Sequence, residues 1–157
     1  MKQELRLSGT GGQGLILAGI ILAEAALLDG KLAIQSQSYG PEARGGSSKS
    51  EVMISEEAIH FPKVTEPNLL LAMSQEAANK YSTDLSPESI LVTDSLFVSK
   101  LPAHTGKVYE LPITHSAKEV LGKALFANII ALGALVKITK IVSEESLVKA
   151  VLNRVPK

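Results

Sequence analysis

The stretch "LRLSGTGGQGLILAGIILAEAALL", Leu5 to Leu28, decides the fold. A short run typical of a strand leads into the glycine-rich "GTGGQG", Gly9 to Gly14, and then into a long apolar run without proline. A strand, a glycine loop and a helix in this order gather backbone N–H groups and the positive end of a helix dipole in one small volume, where phosphate or carboxylate binds well. The segment therefore predicts the first unit of an α/β sheet, with an anion site at the loop.

The rest of the chain continues with short apolar runs separated by turn signals. A short helix with Ser74 as its N-cap is predicted between the fourth and fifth strands, and near-continuous apolar runs are typical of mostly parallel sheets. The C-terminal part predicts two helices. The first has the capping-box spacing of Ser116 and Glu119 and ends near Lys137, and the second is capped by Ser143. The predicted strands are "ELRLS", "LAIQSQ", "SEVMIS", "NLLLAM", "SILVTD" and "KVYELPI".

These elements together predict one α/β domain over residues 1–157. Its sheet is doubly wound, mostly parallel and flanked by helices, which makes the fold Rossmann-like. A chain of 157 residues with 45% hydrophobic residues can bury one substantial core. No internal repeat and no Pro- or Ser-rich linker divides the sequence.

The composition excludes several kinds of function. Sixteen basic residues balance sixteen acidic ones, so the chain lacks the positive charge that nucleic-acid binding demands. Without cysteine it can hold no disulfide, no thiolate-bound iron–sulfur cluster and no thiol nucleophile. Its three histidines show no metal-ligand spacing, so we expect no metal site.

Two apolar stretches require a check for membrane spans. Leu15–Leu28 is interrupted by Glu24, and 124–136 is interrupted by Asn128. Both are shorter than the roughly 20 residues that a bilayer span needs, and the N-terminus lacks the apolar core of a secretory signal. We therefore expect a cytoplasmic protein without a membrane partner, whose apolar helices pack between the sheet and another element or chain.

The glycine loop fits the dinucleotide pattern incompletely. Gly9, Gly11 and Gly14 match Gly-x-Gly-x-x-Gly in the right strand-to-helix context. The second strand, however, ends without the acidic residue that would hold a ribose hydroxyl. Asp29 precedes that strand, and we expect it at the opposite edge of the sheet from the loop.

The triphosphate-loop pattern fails as well, because Leu15 and Ile16 stand where Lys and Ser or Thr are required. Two interpretations remain. The loop binds an anion, or its glycines only allow a tight turn and close packing. The side-chain amide of Gln13 weakens the packing interpretation, because it can donate a hydrogen bond at the mouth of the loop.

A second loop, "SYGPEARGGSSKSE" from Ser38 to Glu51, leaves the second strand at the same carboxyl edge and should face the glycine loop. Arg44 carries a planar, permanently charged fork that can clamp a phosphate or a carboxylate. Gly45 and Gly46 let the backbone approach a ligand closely, and Tyr39 can stack on a base or cover a partner surface. The alternative is a solvated polar loop with a surface arginine.

Three further residues carry weaker signals. Asp94 ends the fifth strand at the same edge, where it caps the next segment or orients a ligand hydroxyl. Asn128 is polar within an apolar helix and needs a hydrogen-bond partner if it is buried. Gly133 would let another helix or chain approach closely.

The residues "GTGGQG", "QSQSYGPEARGGSSKSEVMIS" and "ITHSAKEVLGKALFANIIALGAL" resemble the gamma subunit of the 2-oxoacid:ferredoxin oxidoreductases, from Leu5 to near Val155. The most specific parts are the Gly-Gly-Gln-Gly of 11–14 and the Tyr-Gly-Pro-Glu-x-Arg-Gly-Gly of 39–46. Such enzymes convert a 2-oxoacid, coenzyme A and oxidised ferredoxin into acyl-CoA, carbon dioxide and reduced ferredoxin. The resemblance points to 2-oxoglutarate, with pyruvate and ketoisovalerate left open.

The resemblance implies a non-catalytic subunit that is inactive alone and carries no catalytic residue. Alpha and beta chains would carry thiamine diphosphate, cluster-bearing ferredoxin-like chains would carry electrons, and coenzyme A would approach this chain as a substrate. Its candidate site binds coenzyme A or docks a partner chain through Gly9, Thr10, Gly11, Gly12, Gln13, Gly14, Ser38, Tyr39, Arg44, Gly45 and Gly46.

Two alternatives belong to other classes: a self-sufficient nucleotide- or dinucleotide-binding reductase, and a module that only binds a ligand. The isolated chain can also associate with itself as a homo-oligomer. Many relatives continue beyond "LNRVPK" for another short helix, so an interface element is expected to be missing or to come from another chain.

Overall fold

The computed structural model describes residues 2–10, 13–39, 47–59, 67–83, 85–102, 106–123 and 126–154; in residues 37–39 and 47 only the backbone is described. The strands of this part are β1 (Gln3–Thr10), β2 (Leu32–Tyr39), β3 (Ser47–Ser55), β4 (Leu69–Ala72), β5 (Ile90–Asp94) and β6 (Val108–Leu111). The helices are α1 (Leu15–Leu28), α2 (Gln75–Tyr81), α3 (Ile113–Leu121), α4 (Ala127–Thr139) and α5 (Glu144–Arg154).

The strands form one sheet in the order β2-β3-β1-β4-β5-β6. Parallel pairs join β1 to β4, β4 to β5 and β5 to β6. β3 runs antiparallel to both of its neighbours, β1 and β2. Among the described strands β3 alone is reversed, and β2 points the same way as β1. The predicted α/β class with a mostly parallel sheet is confirmed.

The main core lies on the face of the sheet that α1 covers. α1 packs on β1, β2 and β3, and α4 and α5 in turn pack on α1. Leu5, Leu7, Val52 and Ile54 point into this core and are buried. The buried residues of α1 are therefore enclosed between the sheet and two helices of the same chain, while Leu27 and Leu28 at the end of the helix are exposed. None of the described helices combines the length and the apolar character needed to cross a membrane.

The opposite face, covered by α2, has a polar centre. The Nε of Arg6 lies 2.8 Å from the Oε2 of Glu51, and both side chains are buried. The ring of Tyr81 on α2 lies near three cations, with the Arg6 guanidinium 5.8 Å from its centroid. α2 begins as predicted, because the Ser74 hydroxyl accepts a hydrogen bond from the Ala77 N–H at 3.1 Å. The Nζ of Lys49 lies 3.7 Å from the Oε1 of Glu51, so this buried carboxylate has two cationic partners.

The predicted helix that starts near Ser116 and ends near Lys137 is wrong in its start and in its continuity. α3 begins at Ile113, so Ser116 lies inside the helix. The cap comes from a distant strand end instead, since the Asp94 carboxylate accepts the N–H of Thr114 at 3.2 Å. α3 then ends at Gly122 in the left-handed conformation, at φ 82°.

The last helix, α5, is capped as the sequence predicts. The Ser143 hydroxyl accepts a hydrogen bond from the Ser146 N–H at 3.1 Å. Glu144 and Glu145 lie in its first turn, where negative charge is favourable. Local sequence was sufficient at this helix because its cap and its first turn are neighbours in the chain.

Candidate functional site

The two glycine-rich motifs leave the sheet at the same edge, as the sequence predicts. Gly9 of β1 lies opposite Ser48 of β3, and Ser48 lies opposite Tyr39 of β2. The three residues form one row across the sheet. Because neighbouring strands are about 4.8 Å apart, the backbones of Gly9 and Tyr39 are separated by roughly 10 Å. β3 thus lies between the two strands that carry the motifs.

Part of the predicted site lies outside the described residues. This applies to Gly11 and Gly12 and to 40–46, which contains Arg44, Gly45 and Gly46. For Ser38 and Tyr39 the backbone alone is described. The described part of the glycine loop consists of Gly9, Thr10, Gln13 and Gly14.

The side chain of Gln13 joins the ends of two parallel strands. Its Oε1 accepts a hydrogen bond from the N–H of Thr10 at 2.8 Å, and its Nε2 donates one to the carbonyl of Met73 at 3.0 Å. Thr10 ends β1, and Met73 follows β4. The amide that was expected to favour anion binding therefore holds the loop against the sheet. In this structure Gln13 is a structural residue of the candidate site, because both polar atoms of its amide bond to the same chain.

Packing disfavours a side chain at Gly9 and at Gly14. A Cβ on Gly9 would lie 2.1 Å from the Oε1 of Gln13 and 2.8 Å from a methyl group of Leu15. Gly14 is the N-cap of α1 at φ 74°, a conformation that side chains rarely adopt. A Cβ there would lie 2.6 Å from the Nδ2 of Asn128. The packing interpretation accounts for these two glycines, whatever the loop binds.

Asn128 fixes α4 to the glycine loop. It is 5% exposed, and its Nδ2 donates a hydrogen bond to the carbonyl of Gly14 at 3.1 Å. The predicted need for a partner is confirmed, and the partner is part of the candidate site. The side chain of Asn128 was not predicted as a site residue because its partner is 114 positions away. Gly133 of the same helix is exposed, and a Cβ added to it would meet nothing within 4 Å, so nothing described in this chain packs closely against it.

The N-terminus of α1 carries no cap from a described side chain. Its N-cap is Gly14, and its first turn contains no acidic residue. The first N–H groups of a helix have no partner within the helix, and the dipole makes this end positive. Since Gln13 already occupies the N–H of Thr10, an anion at this edge would bind to the first turn of α1.

Asp94 lies at the same edge of the sheet but serves the fold. Its carboxylate is fully buried and accepts hydrogen bonds from the N–H of Leu96 and the N–H of Thr114, each at 3.2 Å. The hydroxyl of Thr114 donates to the same carboxylate. These bonds confirm the capping role.

Asp29 lies at the opposite edge, as expected. Its carboxylate accepts hydrogen bonds from the N–H and the hydroxyl of Ser143, at 2.6 and 2.8 Å, and from the hydroxyl of Ser146 at 2.6 Å. Burial alone would raise the pKa of Asp29, but the hydrogen bonds from Ser146 and Ser143, with the charge of Lys31, outweigh it and lower the pKa below its ordinary value. Asp29 is therefore a structural carboxylate that holds the start of α5.

Known proteins are similar to this chain in sequence and in fold. The family model described as pyruvate ferredoxin/flavodoxin oxidoreductase matches residues 4–157. The crystal structure of the keto/oxoacid ferredoxin oxidoreductase gamma subunit from Geobacter sulfurreducens superposes with a TM-score of 0.92 at 51% identity, covering 100% of this chain and 87% of that one. The chain belongs to the pyruvate ferredoxin/flavodoxin oxidoreductase family, as one of its gamma subunits, which confirms the resemblance in the two motifs.

Two relatives show in which kinds of chain this domain occurs. The 2-oxoglutarate synthase subunit KorC of Methanocaldococcus jannaschii is 52% identical over 160 residues, covering 100% of this chain and 86% of the relative. The ketoisovalerate oxidoreductase subunit VorA of Methanothermobacter thermautotrophicus is 32% identical over 131 residues, covering 83% of this chain but 27% of VorA. The domain thus occurs both as a separate subunit and as about a quarter of a longer one.

Proposed function

We propose that this chain is the gamma subunit of a 2-oxoglutarate:ferredoxin oxidoreductase. Such an enzyme forms acyl-CoA and carbon dioxide from a 2-oxoacid and coenzyme A while it reduces ferredoxin. The choice of 2-oxoglutarate is supported by the 52% identity with a 2-oxoglutarate synthase subunit, against 32% with the ketoisovalerate subunit.

In this proposal the chain is a non-catalytic subunit that works only inside its complex. It has no cysteine, so the iron–sulfur clusters belong to other chains. Its carboxylates Asp29 and Asp94 are committed to capping helices. Thiamine diphosphate and the clusters are thus assigned to alpha and beta chains and to a ferredoxin-like chain.

The observation that carries the role of this chain is the N-terminus of α1, which no described side chain caps. Coenzyme A carries phosphate groups, which suit the uncapped first turn of a helix. β2 ends at Tyr39 and β3 begins at Ser47 at this same edge of the sheet, and Arg44 lies between them in the sequence. An arginine there can add a bidentate hydrogen-bonded contact to a phosphate. We assign this edge to coenzyme A.

The second candidate is that the same edge docks a partner chain. VorA favours it, because a homologous domain is covalently joined to the rest of that longer subunit. The internal bonds of Gln13 also favour it, since they hold Gln13 against Thr10 and Met73 before any partner binds. Arg44 would then pair with a partner carboxylate across the interface.

The substitution Arg44→Ala in the assembled enzyme separates the two roles. If the edge binds coenzyme A, the apparent KM for coenzyme A rises by about 10-fold to 100-fold, the loss of one charge-assisted hydrogen bond. The turnover number and the decarboxylation of the 2-oxoacid without coenzyme A change little. Arg154→Ala is the matched control, because Arg154 bonds to Glu24 on the surface of α5 and α1. An unchanged KM together with a dissociated complex would assign Arg44 to the interface instead.

Isothermal titration of the isolated chain tests the other classes of function. We expect no binding of NADH or FAD, because the second strand ends without an acidic residue for the ribose. Micromolar binding of NADH would contradict the proposal and favour a self-sufficient reductase. Tight coenzyme A binding with no tendency to join the alpha and beta chains would favour a separate ligand-binding module.

A further inference from the structure

The two edges of the sheet differ in how they are protected. At one edge β6 has four residues, includes the exposed Glu110 and is followed by Pro112. Short length, charge and proline are the usual means by which an edge strand avoids pairing with another chain. At the other edge β2 has eight residues, from Leu32 to Tyr39, and contains neither a charged residue nor a proline.

β2 also forms a regular edge. It pairs with β3 along its whole length, from Leu32 opposite Ser55 to Tyr39 opposite Ser48, without a bulge. Within the described part of the chain no further strand follows β2 in the sheet. An extended strand of eight residues is about 27 Å long, so the sheet presents a continuous backbone edge of that length.

Exposed apolar side chains lie next to the start of this edge. Leu27 and Leu28 end the helix that leads into β2 and are 57% and 49% exposed, and Leu32 begins the strand and is 46% exposed. Ala33 packs into the core under α1, so its neighbour Leu32 points to the other face of the sheet. The leucines therefore lie on both faces beside the same edge, an arrangement that marks an interaction surface.

We infer that β2 pairs antiparallel with β2 of a second copy of this chain, so that the sheet continues across a two-fold axis. A strand without charges is complementary to itself in this arrangement. Opposite residues of such a pair share a face, so Ala33 can lie opposite Tyr39 of the second copy, which places Ser36 opposite its own counterpart at the two-fold axis, and no like charges meet.

The exposed leucines add to the surface area that the dimer would bury. A stable interface buries roughly 1,200 Å² in total, more than one pair of strands provides. Leu27, Leu28 and Leu32 add apolar surface directly beside the strands. The contact is isologous and closes after two copies, so it predicts a dimer and no filament. It uses β2, whose last residues Ser38 and Tyr39 begin the second motif, and it does not depend on the proposed function.

The test measures the mass of the full chain in solution by sedimentation equilibrium, with the substitution Ser36→Lys. Ser36 is exposed and lies opposite Glu51, so a lysine there leaves the folded monomer intact. In the dimer two new lysines lie beside the two-fold axis, and we expect the dissociation constant to rise by at least about 10-fold. Ser99→Lys is the control, because it adds the same charge to an exposed position far from β2 in the sequence.

The expected result is a dimer for the wild type and for Ser99→Lys, and a monomer for Ser36→Lys with an unchanged thermal midpoint. Hydrogen exchange provides a second measurement. Backbone amides of β2 become more protected as the concentration of the wild type rises. A wild type that stays monomeric from micromolar to hundreds of micromolar overturns the inference, and so does a dimer that Ser36→Lys leaves unchanged. Protection of β2 that appears only after partner chains are added also overturns it.

Discussion

The N-termini of α1 and α5 lie at opposite edges of the sheet and are built in opposite ways. At α5 the first turn holds two glutamates, Ser143 caps the helix, and Asp29 accepts three hydrogen bonds from Ser143 and Ser146. At α1 the cap is a glycine, and the first turn has no acidic residue. Among the described side chains, a carboxylate closes the start of α5 and none caps the start of α1. An uncapped, positive helix end is where we expect an anionic ligand or partner group to bind.

The largest expected effect on stability comes from removing the carboxylate that binds the N-terminus of α5. Asp29→Ala deletes the acceptor of three hydrogen bonds and leaves polar groups of Ser143 and Ser146 without this partner. We expect the free energy of unfolding to fall by about 2–3 kcal/mol, measured by urea denaturation followed by circular dichroism. Asp29→Asn keeps an acceptor oxygen and should lose less. A loss for Asp29→Ala below about 0.5 kcal/mol would show that α5 does not depend on this cap.

We expect a smaller loss of stability from a substitution at the N-terminus of α1. Backbone strain and packing, not side-chain hydrogen bonds, determine the residue at this helix end. Gly14→Ala forces a side chain into the conformation at φ 74° and places its Cβ 2.6 Å from the Nδ2 of Asn128. We expect a loss of about 1–2 kcal/mol in the free energy of unfolding.

A double-mutant cycle with Asn128→Ala separates the clash from the strain at Gly14. The double variant should lose less than the sum of the two single losses, because the clash disappears with the amide. Gly133→Ala is the matched control: an exposed glycine within a helix, with open space for a Cβ, should gain up to about 1 kcal/mol. Strict additivity of Gly14→Ala and Asn128→Ala would show that the two side chains do not meet.

The sequence predicted the elements of the fold and the edge at which the motifs meet, because periodicity and turn residues are local signals. It did not predict that β3 is reversed, since the alternation of "SEVMIS" is the same in either direction. The start of α3 was wrong for a similar reason. Its cap, Asp94, lies 20 residues before Thr114, and no pattern near Ser116 reveals it.

The prediction of the candidate site was also right in some residues and incomplete in others. The expected edges of Asp29 and Asp94 are confirmed, because the direction of a strand fixes where its ends lie. The role of Gln13 was missed, since its partner Met73 is 60 positions away and belongs to a neighbouring strand. Packing explains Gly9 and Gly14. Anion binding stays a prediction, now for the N-terminus of α1, which no described side chain caps.

The smallest expected effect is the dependence of stability on pH that Asp29 contributes. Its pKa is lowered in the folded state, because the hydrogen bonds and the charge of Lys31 outweigh the effect of burial. A carboxyl group whose folded pKa is lowered contributes stability that is present above its unfolded pKa of about 3.9 and is lost as the pH falls through the folded value. The free energy of unfolding of the wild type should therefore fall more steeply below about pH 4 than that of Asp29→Asn.

Glu24 provides the control for this titration. Its pKa is also lowered, chiefly by the hydrogen bond from Asn153, against the effect of burial and with help from Arg154. The link to Asn153 and Arg154 is exposed, so salt and solvent weaken it. Glu24→Gln should consequently keep most of the acid-induced loss of stability, and the double variant with Asp29→Asn should show the flattest profile. If the wild type and Asp29→Asn lose stability in parallel as the pH falls, the charge of Asp29 does not contribute to closing the α5 end, and its hydrogen bonds alone account for the difference between the two helix ends.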